Sequence, residues 1–169
     1  LANTEKLLRM FKERNQNATF FVLGWVAEKY PELIKKIHTE GFEVASHGWS
    51  HQLVYTQTEE TFYRESKRSK ECLEDLVGKS VRGYRAASYS ITSKSAWALD
   101  ILVDLGFEYD SSLFPVKHDV YGMSGIPFHP YLQKVSTGRE IAEFPLSTYN
   151  MLGYRLPVAG GGYFRLFPY

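Results

Sequence analysis

The chain has 169 residues, enough for one domain or part of one. Hydrophobic residues at 44% and charged residues at 23% place it among globular chains and exclude wholesale disorder. The 20 Lys and Arg nearly balance the 19 Asp and Glu, and the net charge of +1 excludes binding to nucleic acid or an anionic membrane through bulk charge.

Asn3 or Thr4 is placed to cap a first helix with an apolar face of Leu7, Met10 and Phe11. Thr19 to Leu23 is a continuous β-prone run, the pattern of a strand buried on both faces. A helix follows from Pro31 to Glu40, with proline at its first position and Gly41 just past its end. Phe42 to Ala45 reads as a second strand. A long helix covers Thr58 to Val77, with Thr56-Gln-Thr-Glu59 as a capping box and Gly78 as its stop. Val81 to Tyr84 reads as a third strand. The next helix is capped by Thr92 or Ser93, turns Trp97, Ile101, Leu102 and Leu105 inward, and ends at Gly106. Phe107 to Tyr109 reads as a fourth strand. Phe114 to Gly138, rich in proline and glycine, is expected to be a long loop. Glu143 to Ser147 reads as an edge strand, and Gly160-Gly-Gly162 as a turn entering a helix.

The β-α-β-α rhythm implies a parallel sheet or an α/β barrel with right-handed crossovers. No apolar stretch nears the roughly 20 residues that span a bilayer. The lone Cys72 excludes an internal disulfide framework and a multi-cysteine zinc site. The chain starts at Leu1 rather than Met and stops at Phe167-Pro-Tyr169 without a polar tail, so one domain over residues 1–169, cut at both ends, is expected.

Sites in parallel α/β folds lie at the carboxyl ends of strands. After the second strand comes Ser46-His47-Gly48-Trp49-Ser50-His51. Two histidines four apart on one face of a helical turn can reach one divalent metal; the alternative is two unrelated loop histidines. After the third strand comes Arg85-Ala-Ala-Ser-Tyr89, where Arg85 can orient a carboxylate or lie on the surface. After the fourth, Asp110 of Tyr109-Asp-Ser-Ser112 can act in the site or cap the following turn. Trp49, Tyr89 and Tyr163 are the aromatic residues near these motifs, whereas Trp97 and Phe107 belong in the core.

Taken together, these segments resemble the polysaccharide deacetylases with a NodB-type domain, carbohydrate esterase family 4. Asn17-Ala-Thr-Phe-Phe-Val-Leu-Gly24 is close to a family signature. Ser46-His-Gly-Trp-Ser-His51 resembles the family's metal-binding motif, and Gly83-Tyr-Arg-Ala-Ala-Ser-Tyr89 its arginine motif, with Ala87 where proline is usual. Asp110-Ser-Ser, Glu143-Phe-Pro-Leu-Ser and Gly160-Gly-Gly-Tyr-Phe-Arg-Leu166 resemble the branch linked to exosortase and PEP-CTERM exopolysaccharide loci.

The resemblance implies a distorted, incomplete (β/α) barrel and metal-dependent hydrolysis of N-acetyl groups on a polysaccharide. It implies zinc held by His47 and His51, Arg85 holding the catalytic base, and the Ser88 backbone amide at the oxyanion. Tyr89 and Trp49 would lie against substrate, with Asp110 an imperfect stand-in for a further acidic motif. The metal aspartate, base and acid histidine are expected outside residues 1–169, so this segment alone is expected to be inactive. The periplasmic side, where such enzymes meet envelope or exported polymer, is the expected compartment. The competing readings are an allantoinase-like hydrolase of a cyclic ureide, which shares the Tyr-Asp-Ser-Ser feature, and an inactive glycan-binding domain.

Overall fold

A computed structural model describes residues 2–116, 122–151 and 154–159. Helix α1 (Ala2–Glu13) leads into β1 (Thr19–Val22), then α2 (Gly24–Lys29), α3 (Pro31–Thr39) and β2 (Glu43–Ser46). Helix α4 (Glu59–Val77), β3 (Gly83–Tyr84), α5 (Trp97–Asp104) and β4 (Tyr109–Asp110) follow. The remaining strands are β5 (Tyr131–Lys134), β6 (Glu140–Glu143), β7 (Thr148–Met151) and β8 (Tyr154–Pro157).

One sheet runs β1-β2-β3-β4-β6-β5, all neighbours parallel except the β5–β6 hairpin; β7 and β8 form a separate antiparallel hairpin. The mostly parallel sheet with helices packed on it is the expected α/β architecture, a fragment of a distorted barrel. Because β4 pairs with β6, the chain beyond Asp110 extends the same sheet.

Local chemistry sets the helix ends. Thr58 caps α4 by accepting from the Thr61 amide at 3.2 Å, and Gly78 stops it in the left-handed region at φ 66°. Pro31 starts α3 without an amide to satisfy. Phe62, Leu73, Val81, Ile91 and Leu102 pack between α4, α5 and the outer face of the sheet, each 1% exposed or less. That burial is the main driving force for docking the helices.

Several expectations need correction. The buried residue of α1 is Leu8, while Leu7 and Met10 are exposed, so the inward stripe is Thr4-Leu8-Phe11 rather than Leu7-Met10-Phe11. Strand β1 is an edge among the described residues, and Val22 is its only fully buried residue. The expected loop from Phe114 to Gly138 contains β5, whose outward Leu132 is 64% exposed. The strand expected over Glu143 to Ser147 ends at Glu143 instead. The Gly160 to Leu166 expectation, with Tyr163, lies outside the described residues.

Gly83 shows how tightly the sheet closes on itself. A Cβ there would overlap the Tyr109 ring on the neighbouring strand. Gly83→Ala is therefore expected to destabilise the protein by about 1–3 kcal/mol, seen as a lowered midpoint in thermal unfolding followed by circular dichroism.

Candidate active site

The ladder runs one residue past each strand and lays out the site. His47 N donates to Val22 O at 2.8 Å, Arg85 N to Ser46 O at 2.9 Å, Ser111 N to Tyr84 O at 2.9 Å and Phe144 N to Asp110 O at 2.8 Å. His47, Arg85, Ser111 and Phe144 thus stand in a row across the carboxyl ends of β2, β3, β4 and β6. Side chains alternate along a strand, so this row shares the inner face with Phe21 and Tyr109. Arg85, Ser111, Phe144, Phe21 and Tyr109 line one inner cavity of about 590 Å³.

The histidine segment is not a helical turn. Left-handed backbone at Gly48 (φ 74°) and His51 (φ 61°) folds it into a loop. Positive φ is uncommon for a non-glycine residue and often marks a functional constraint. The loop still brings the rings of His47 and His51 to 5.1 Å between centroids, steeply inclined to one another. Its backbone is pinned by the structure around it: Gly48 O accepts from Gly24 N at 2.9 Å and from Ser69 Oγ at 3.0 Å.

The ring of Trp49 is engaged by the protein itself. The Arg68 guanidinium lies over it at 3.5 Å, and Gly24 packs so closely that a Cβ would overlap it. Trp49 therefore fastens α2 and α4 to the histidine loop.

The donor chemistry of the two histidines suits a metal. His47 Nδ1 lies 2.6 Å from Arg85 O; a carbonyl can only accept, so Nδ1 carries the hydrogen and Nε2 keeps its lone pair. Burial holds the His47 pKa below its ordinary value, and the charges of His51 and Arg85 push the same way against the bond to Arg85 O. The shift favours the neutral ring, the form a metal needs. Among the described residues no cluster of three or more His, Cys, Asp or Glu can hold a metal.

Arg85 is fixed on several sides. Its Nε donates to Ser111 O at 2.9 Å, an Nη donates to Ser111 Oγ at 2.6 Å, and its guanidinium lies 4.2 Å over the Phe21 ring. Burial lowers its pKa, opposed most by Tyr89 and then by Asp110, Tyr109 and Glu143. Among the described residues it forms no ion pair.

The segment after Arg85 keeps the shape a proline would impose. Ala86, at φ −70° and ψ 144°, has the extended conformation of a residue before proline, although Ala87 stands in the proline position. Ser88 (φ 49°) and Tyr89 (φ 56°) then sit consecutively in the left-handed region. Ser112 Oγ accepts from Ala86 N at 2.8 Å, and Ser90 Oγ donates to Ala87 O at 2.6 Å, so the surroundings hold this strained turn. The Tyr89 and Ser90 amides are spent on Ala86 O and Ala87 O; among the described residues no such bond takes the Ser88 amide, and Ser88 is exposed. The Tyr89 ring packs edge-on against Phe114 at 5.6 Å.

Asp110 was expected either to act in the site or to cap the following turn. It lies on the opposite face from Arg85 and His47, is fully buried, and accepts from Ser112 N at 3.1 Å and Ser112 Oγ at 2.5 Å. The turn-capping alternative is what the geometry shows. His129 is exposed beside Phe128, and His118 lies outside the described residues.

Two residues had not been singled out from the sequence as parts of the site. Ser111 is one. Glu143, the other, is fully buried beside Asp110, with Oε1 accepting from Leu113 N at 3.1 Å and Oε2 without a hydrogen-bond partner among the described residues. Two carboxyls sealed together cannot both ionise cheaply. Burial first, and then the Asp110 charge, drive the Glu143 pKa far above the carboxylate range; burial also raises that of Asp110.

A pH dependence follows. Folded Glu143 keeps a proton that the unfolded chain releases above about pH 4.3. The folded state then binds more protons, so stability falls as pH rises, by up to about 1.4 kcal/mol per pH unit from this group. Glutamine mimics the protonated form. Glu143→Gln is expected to match the native protein near pH 4 and to exceed it by a growing margin toward pH 8, measured by denaturant unfolding across that range.

The class defined so far is an α/β, barrel-type chain with a histidine pair and a fixed arginine at the carboxyl ends of its strands. The chain belongs to the polysaccharide deacetylase family, which matches residues 1–109; residues 111–169 match a domain of unknown function (DUF3473). It is 33% identical over 108 residues to the peptidoglycan deacetylase of Helicobacter pylori, a match covering 64% of this chain and 36% of that protein. The chain thus spans little more than a third of the length of that relative. A solved structure from Mycobacterium smegmatis, assigned as a polysaccharide deacetylase, superposes with a TM-score of 0.71 at 33% identity, covering 85% of this chain and 45% of that one. Puue allantoinase gives a TM-score of 0.69 at 19% identity over 85% of this chain and 43% of that one, a likeness of fold alone. No helix among the described residues is long and apolar enough to cross a membrane.

Proposed function

We propose that the protein containing this chain removes N-acetyl groups from an N-acetylated polysaccharide by metal-dependent hydrolysis of the amide bond. One observation carries the reading: two paired, metal-competent histidines and a fixed arginine occupy neighbouring strand ends in a member of the polysaccharide deacetylase family. The Helicobacter pylori relative is named a peptidoglycan deacetylase, which supports an amino-sugar polymer as the substrate class. The cyclic ureide alternative has the shared Tyr-Asp-Ser-Ser feature and a likeness of fold behind it and is not favoured.

His47 and His51 would hold a divalent cation, zinc by the preference of imidazole donors, and the bound ion supplies an acidified water and a polarised acetamide carbonyl. His47 offers Nε2 because Arg85 O fixes its other nitrogen. Arg85 presents a positive charge that its own holder, Ser111, does not neutralise. The uncommitted Ser88 amide is suited to the developing oxyanion. Tyr89, braced on Phe114, flanks that position as a surface for a sugar ring.

A third metal ligand, a general base and a general acid are assigned to parts of the protein outside residues 1–169. The motifs beyond Asp110 support placement in the branch associated with exopolysaccharide loci. To test the function, the whole protein, loaded with zinc, is incubated with N-acetylglucosamine oligomers and, separately, with allantoin. Acetate and free amine from the oligomers alone are expected; ureide hydrolysis alone would refute the reading.

A further inference from the structure

We propose that Ser111 is a positioning residue for the deacetylation reaction: it aims the Arg85 guanidinium without neutralising it, while Ser112 anchors the turn that follows Arg85. The role in the reaction rests on the function proposed above; the brace itself rests on geometry alone.

A hydroxyl has one proton to donate and lone pairs to accept with. The Ser111 hydroxyl donates that proton to Phe144 O at 2.7 Å. Its oxygen can then only accept from Arg85, which has no acceptor of its own, and it does so at 2.6 Å. With Ser111 O taking Nε–H at 2.9 Å, one residue offers two acceptors to the guanidinium fork, much as a carboxylate would. The difference is charge. A carboxylate in this place would cancel the arginine, whereas a carbonyl and a hydroxyl orient it and leave its positive charge available to the site. The Phe21 ring beneath the guanidinium is equally uncharged.

Ser112 repeats the logic one residue on. Its hydroxyl donates to Asp110 Oδ1 at 2.5 Å, so its oxygen is left to accept from Ala86 N at 2.8 Å. Both serines thus send their protons away from the arginine segment, to Phe144 on one side and Asp110 on the other. Arg85 is set by the first and the entry to the Ser88 turn by the second. Ser111 is 4% exposed and Ser112 fully buried, so water does not compete freely for these bonds.

The test uses the whole, zinc-loaded protein. Ser111→Ala is expected to lower kcat on N-acetylglucosamine oligomers about 10–100-fold, the loss typical of a hydrogen bond to a charged group, with KM within about twofold. Ser111→Thr, which keeps the hydroxyl, should restore kcat to within about threefold of the native value. A second readout does not depend on activity. By ¹⁵N NMR, rotation about the Arg85 guanidinium bonds should be slow in the native protein and at least about tenfold faster in Ser111→Ala. Fast rotation in the native protein overturns the brace even if the alanine variant fails to fold. Unchanged kcat, or a change in KM alone, overturns the positioning role. A native protein that releases no acetate but shows slow, Ser111-dependent rotation refutes the function and leaves the brace standing.

Discussion

Replacing His51 by alanine is expected to strip the protein of its divalent metal and to abolish most acetate release, by more than about 10²-fold. Loss of a residue that merely orients a ligand costs metal sites roughly 10–100-fold in affinity or activity; loss of a ligand should cost more. His51 is the cleaner of the two positions to test. It is exposed and sits at a left-handed residue of a loop, so truncation removes little packing. His47→Ala should lose metal equally, but it also deprives Arg85 O of its partner and should loosen the arginine segment. Metal per chain after dialysis, by elemental analysis, separates the two contributions. His51→Ala should lose metal with its unfolding midpoint in the apo form unchanged, whereas His47→Ala should lose both metal and some stability.

The second large effect is at Arg85. Arg85→Ala should lower kcat by about 10²–10³-fold, the range seen when a preorganised electrostatic group is removed. Metal content should stay at the native level, because no ligand is touched. Arg85→Lys should recover little of the loss. An ammonium cannot place two parallel N–H groups on Ser111 O and Oγ, nor lie flat on the Phe21 ring. Steady-state kinetics with parallel metal analysis reads this. Loss of rate together with loss of metal would instead mean that Arg85 supports the histidine loop.

The alternation of strands and helices up to Tyr109 was legible because its punctuation is chemical. Pro31 and Gly78 each mark a helix end that the structure keeps, while the cap of α4 is Thr58 rather than Thr56 of the expected capping box. Short α2 carries no such mark: no side chain caps it and it has six residues. The strands after Asp110 were hidden for another reason. Leu132 and Tyr149, each over 60% exposed, lie on hairpins that show one or both faces to solvent, so no apolar alternation reports them.

The site was legible as residues but not as geometry. His47 and Arg85 stand out as the polar residues following strands, yet the histidines meet through a left-handed loop rather than the helical turn their spacing suggested. On β4 the sequence reading singled out Asp110, the last residue of the strand. His47 and Arg85 are each the first residue past a strand, and the same position on β4 belongs to Ser111, not Asp110. Strand parity could have made that choice from the sequence. The pairing of Glu143 with Asp110 could not have been read, because it depends on which strand lies beside β4.

The claim that His47 and His51 share one ion is tested most directly by X-ray absorption at the zinc edge on the zinc-loaded whole protein. The account predicts two imidazole nitrogens per zinc at about 2.0–2.1 Å, falling to one in His51→Ala at whatever occupancy remains. A zinc shell without imidazole, or an imidazole count unchanged by His51→Ala, would contradict it.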